Sequence, residues 1–141
     1  MSEQIAQALK ALIQGANPFA RVEVDWDKPP AIDAGGFFNI IKGDPGDAII
    51  DLSPLTYNYE HVFKVEVFGF PSAALTAGQV IEQLLMPVGR AVEMDRGLGG
   101  LVTFLGVTAA VETTATETGT DIIPAAEFEF VASYATRHPL G

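Results

Sequence analysis

Two histidines, a scatter of carboxylates and one glycine-rich corner are the residues of this chain that could take part in chemistry. His61 lies in an alternating run from Tyr57 to Phe70. To act as a general base it would need a nucleophile or a carboxylate set beside it by a motif. The sequence has no G-x-S-x-G elbow, no H-E-x-x-H, no P-loop and, with no cysteine, no thiol nucleophile. His61 is therefore read as a structural histidine, and His138 is far from it in sequence. Asp44, Asp47 and Asp51 lack the spacing of a calcium-binding loop and are read as turn formers. Gly97-Leu98-Gly99-Gly100 has the composition of a dinucleotide-binding turn, but it follows a helical pattern and precedes a strand pattern, the reverse of the order required. The reading is that the chain is not an enzyme: no catalytic, metal or cofactor-binding residue is assigned, and no cofactor.

Composition limits the partners. The 141 residues fit one domain, taken as residues 1–141, able to bury roughly two-thirds of its unfolded surface. Nearly half of the residues are apolar, too many for a disordered chain. No apolar run approaches the ~20 residues of a membrane span, and the first residues do not read as a secretion signal. The absence of cysteine suits a reducing cytoplasm. The formal charge is −10, and no basic residue lies between Arg96 and Arg137. Phosphate-binding proteins cluster Lys and Arg, so sequence-specific nucleic-acid binding is not expected. An acidic surface serves solubility, or lets nucleic acid slide past without sticking.

The elements that must carry these residues are organised around residues 76–111. Thr76-Ala77-Gly78-Gln79 has the form of a capping box. Val80, Ile81, Leu84, Leu85, Val88, Ala91 and Val92 then recur at helical spacing, with Pro87 predicted to kink the helix. Gly97, Gly99 and Gly100 are predicted to stop it and turn the chain into a strand, with Gly99 or Gly100 at positive φ.

Before this core, residues 3–14 read as a helix with Ser2 as N-cap and Gly15 as its stop. Residues 21–26 alternate as a half-buried strand, and residues 27–35, with Pro29 and Pro30, read as a loop. Residues 37–41 and 48–52 are apolar runs around Lys42-Gly43-Asp44-Pro45-Gly46-Asp47 and read as a β-hairpin. In residues 57–70 His61, Phe63, Val65 and Val67 share one face. Residues 103–112 alternate with Leu105, Val107, Ala109 and Val111 on one face. Residues 125–136 alternate with Ala126, Phe128, Phe130, Ala132 and Tyr134 together. The two form a long hairpin over residues 103–136. Its distal part, with Thr113, Thr114, Thr116, Thr118 and Thr120, has strand-friendly residues and little to bury, so it is expected to project and to meet a neighbouring subunit. The fold class is α+β: a mostly antiparallel sheet on one long helix, with an N-terminal helix and a long projecting hairpin.

This order of elements resembles the tail-terminator, or tail-completion, proteins of long-tailed bacteriophages and gene transfer agents. The resemblance is carried by residues 59–67, by Asp95-Arg96-Gly97-Leu98-Gly99-Gly100-Leu101, and by the closing strand, residues 126–136. It implies a structural virion protein, assembled in the bacterial cytoplasm. The resemblance also implies a homohexameric ring at the head-proximal end of the tail tube. Its implied partners are further copies of itself, the major tail tube protein and a neck or head-completion protein; DNA would pass through the lumen without specific binding, and no membrane is involved. Two alternatives stand beside this reading: a neck or head–tail connector subunit, and a small-molecule binding domain or unrecognised enzyme.

Overall fold

The computed structural model describes residues 1–29, 32, 34–113, 117–118 and 121–138, with residues 117, 118, 121 and 122 in backbone only. In chain order its elements are α1 (Ser2–Ala16), β1 (Arg21–Val24), β2 (Phe37–Ile41), β3 (Ile49–Leu52) and β4 (Leu55–Phe68). Then come α2 (Ala77–Met94), β5 (Phe104–Val107), β6 (Val111–Glu112), β7 (Glu117–Thr118), β8 (Asp121–Ile122) and β9 (Ala125–Thr136). The class is α+β, a mixed seven-stranded sheet with two helices.

The centre of the sheet is the antiparallel pair β4–β9, in register from Tyr57 opposite Thr136 to Phe68 opposite Ala125. Strict alternation in both strands puts Tyr59, His61, Phe63, Val65 and Val67 on the same buried face as Tyr134, Ala132, Phe130, Phe128 and Ala126. That face is covered by Ile5, Leu9 and Ile13 of α1 and by Ile81, Val88 and Val92 of α2. Tyr59 and Tyr134, directly opposite, stack with ring centroids 5.4 Å apart.

The first helix departs in detail from the sequence reading. α1 starts at Ser2 with Met1 as its N-cap and no side-chain cap, and it runs through Gly15 to Ala16. The Ser2 hydroxyl faces His61 instead. The α2 capping box is present as expected: the Gln79 N–H donates to Thr76 Oγ1 (3.2 Å) and the Thr76 N–H to Gln79 Oε1 (2.9 Å). The helix continues through Pro87 to Met94.

The hairpin expected from residues 37–41 and 48–52 does not form. β2 lies between β1, to which it is parallel, and residues 64–68 of β4; β3 pairs with residues 55–58 of β4. Since β9 occupies the other side of β4, β2 and β3 are two pieces of one flank, and residues 42–48 carry the chain past the middle of β4 between them. The hairpin partner of β3 is β4, through Ser53 and a cis Pro54.

The strand expected over residues 103–112 is interrupted. β5 and β6 both pair with β9, Val107 opposite Phe130 and Val111 opposite Glu127, so the chain gains one residue on β9 between them. Such a bulge reverses the faces, and Val111 leaves the face of Leu105. Leu105 is buried and Val111 is 67% exposed. β7 and β8 pair with each other as a separate two-stranded piece.

Candidate functional site

His61, the one candidate base in the middle of a strand, is fully buried. Its Nε2 lies 2.5 Å from the Lys42 carbonyl, and its Nδ1 lies 3.5 Å from both Ser2 Oγ and Tyr134 OH. A ring that donates from Nε2 to a carbonyl leaves Nδ1 to accept from a hydroxyl, so the neutral imidazole is satisfied at both nitrogens. Burial holds its pKa below the ordinary histidine value, against the opposing pull of the Lys42 carbonyl. Its hydrogen-bond partners are hydroxyls and a carbonyl, the Phe63 ring stacks on it, and the Asp44 carboxylate acts on it through its charge.

Lys42 ties this ring to three elements. Its Nζ lies 2.5 Å from Glu3 Oε2 and 3.4 Å from Asp25 Oδ2, while its backbone N–H donates to Asp25 Oδ1 at 3.0 Å. The hydrogen bond between them lowers the Glu3 pKa and raises that of Lys42. The start of α1, the end of β1, the end of β2 and the middle of β4 therefore meet at one polar junction. Sequence reading missed it because all its contacts are long-range.

Asp44 accepts from the Gly46 N–H at 3.0 Å, an Asx turn, and Asp51 accepts from Asn58 Nδ2 at 3.0 Å. Among the described residues no group of three or more His, Asp or Glu could hold a metal ion, and no helix is long and apolar enough to cross a membrane.

The glycine corner is built as its composition requires. Gly99 and Gly100 have φ +67° and +93°, and Leu98 joins them at +48°; Gly97 is not in the left-handed region. The Gly99 N–H donates to Asp95 Oδ1 at 2.9 Å, and the N–H groups of Gly100 and Val102 both donate to Gly97 O. Of the threonines assigned to an interface, Thr113 is half-buried and its N–H donates to Ala125 O at 3.1 Å. Thr118 is in β7. Thr114, Thr116 and Thr120 lie outside the described residues.

A second surface was invisible in the sequence. β3 reads there as one apolar strand of a hairpin, and Ile49, Ile50, Leu52 and the facing Leu55 are 72, 54, 81 and 49% exposed. The β4–β9 pairing ends at Tyr57, so the turn-proximal part of the β3–β4 hairpin extends past the last β9 residue in the sheet. Across the sheet from it, a cleft of about 280 Å³ opens between α2 and the β5 side, with Met86 and Val107 at its mouth.

No protein-family model matches the chain, and no curated protein matches it in sequence.

Proposed function

We propose that this chain is a structural, ring-forming subunit that caps the head-proximal end of a phage-type tail tube and joins it to the head. The observation that carries the reading is the exposed aliphatic hairpin of β3 and β4. Large apolar groups set on a strand with a sheet neighbour on one side only mark a surface made to be covered by another chain. The resemblance in residues 59–67, the glycine corner and β9 supports the same assignment.

In this reading α2 is the long helix that backs the sheet. Residues 103–136 form a long hairpin that reaches toward a neighbour or the tube, with Thr113, Thr114, Thr116, Thr118 and Thr120 at the contact. The ring holds six copies and sits in the virion between the tail tube protein and a neck protein. The charge of −10 lines a lumen that DNA crosses without being held, since each Lys or Arg there would instead bind a phosphate.

Co-expression with the products of the flanking reading frames tests this. Co-purification with a tube-forming subunit supports it. Association only with a head-completion protein would move the chain to the neck, and a chain that binds neither would not be a tail component.

A further inference from the structure

Resting on that ring reading, we infer that the β3–β4 turn of one copy seats in the cleft between α2 and β5 of the next, with Asp51 of the first copy meeting Arg90 of the second. Strand alternation puts Ile50 and Leu52 on one face of β3 and Ile49 on the other, so the chain's own sheet cannot bury both. The arm needs a partner that receives aliphatic side chains. The cleft offers that: it is lined by Leu85, Met86, Val88, Val107, Ala110 and Phe128.

The charges match as well. Among the described residues, Asp51 accepts from the Asn58 amide and makes no ion pair. Arg90 is exposed, is the sole basic residue of α2, and makes no ion pair among the described residues. It stands one helical turn after Met86, which lines the cleft. A chain of net charge −10 repels its own copies, and Arg90, which shares α2 with the exposed Glu82 and Glu93, is the one cation this helix can offer to Asp51 of a neighbour.

The two surfaces differ and lie on opposite flanks of the β4–β9 pair, so each copy offers one to each neighbour. Such a head-to-tail contact generates a ring when the rotation closes. The arm is short compared with the roughly 20–30 residues a side of a stable pairwise interface, so an isolated pair is weak and closure of the ring holds the assembly.

The absence of cysteine permits a direct test. Leu52→Cys and Met86→Cys variants, both at exposed positions and checked by melting, are mixed at high protein concentration in moderate salt and oxidised. The disulfide between positions 52 and 86 is expected to outnumber both same-site disulfides, and the double variant is expected to give a ladder ending at one closed species. Asp51→Lys is expected to lower the mixed yield about twofold to fivefold, the range of an exposed ion pair, and added Arg90→Glu to restore it. Predominance of the 52–52 disulfide overturns the proposal, as does cross-linking of position 52 to a flanking gene product. Oligomers in native mass spectra without the 52–86 disulfide overturn the arm's placement and leave the ring reading standing. A chain that stays monomeric alone and with the flanking products overturns both.

Discussion

Arg96 closes the outer edge of β5 by pairing with both backbone groups of Leu105: the Leu105 N–H donates to Arg96 O at 2.7 Å, and Arg96 Nη1 donates to Leu105 O at 3.0 Å. One residue of the glycine corner thus replaces a neighbouring strand. Its guanidinium also lies 5.3 Å from the centre of the Phe104 ring, shielding an aromatic that is half exposed. An open strand edge invites pairing with another chain, and the corner prevents that here. Arg96→Ala is expected to cost about 1–2 kcal/mol in urea unfolding, from one charged hydrogen bond and a cation–π contact at a partly wet site. Arg96→Lys, which lacks the planar fork, should recover less than half of it.

The three corner glycines are expected to separate. Gly99→Ala and Gly100→Ala each force a residue with a Cβ into the left-handed region, at about 1–2 kcal/mol. No heavy atom lies within 4 Å of the added Cβ at either site, so the cost is purely backbone. At Gly97 φ is ordinary and the nearest atom to an added Cβ is 3.6 Å away. Gly97→Ala should be neutral or stabilise by up to ~1 kcal/mol through the unfolded chain. Paired denaturation curves check the contrast.

Core truncation should follow burial. Phe63, wholly buried in the core and opposite Phe130, should lose about 3–5 kcal/mol on replacement by alanine. Leu84 belongs to the α2 stripe by spacing but is half-buried, and Leu84→Ala should cost only ~1–2 kcal/mol. Equal losses at both positions would mean that the sheet–helix contact is misplaced.

The same contrast shows what was legible in the sequence. Thr76 and Gln79 announce the start of α2 because a capping box is local, and β4 and β9 announce their inner faces because period two persists over many residues. The β2 and β3 runs carry no alternation to fix a face. Turn chemistry between them, Gly43 to Gly46, implied a hairpin, whereas the long neighbour β4 takes both as partners. The bulge between Val107 and Val111 leaves no mark in composition. The exposure of the β3–β4 arm is not legible in sequence, because an apolar run looks the same whether its partner lies within the chain or outside it. Asn39, the polar break in Phe37-Phe38-Asn39-Ile40-Ile41, was a signal left unused. It is buried and holds residue 26, accepting from the Trp26 N–H at 2.9 Å and donating to Trp26 O at 3.1 Å.

His61 makes stability depend on pH. Its folded pKa lies below the unfolded value of 6.5, so between the two the unfolded chain binds more protons and stability rises with pH. Acidification from neutrality through 6.5 should therefore lower the melting temperature progressively until the folded pKa is reached. His61→Gln should remove this part of the slope on the acid side of neutrality. The Glu3–Lys42 pair acts elsewhere: Glu3, lowered, contributes above the ordinary carboxylate range and fades in acid, and Lys42, raised, fades only as pH climbs past its folded value. An unchanged slope in the His61 variant would show that the ring is not held neutral by burial.

The central claim, that this chain completes a tail as a ring, is tested most directly by electron microscopy of tail tubes assembled with the wild-type chain, with a variant lacking residues 114–120, and without the chain. The wild type should place a ring of six subunits at one end of tubes of uniform length, and the deletion variant, melting like the wild type, should leave tube ends bare and lengths scattered. Uniform tubes in all three samples, or tube ends that never carry the chain, would contradict the account.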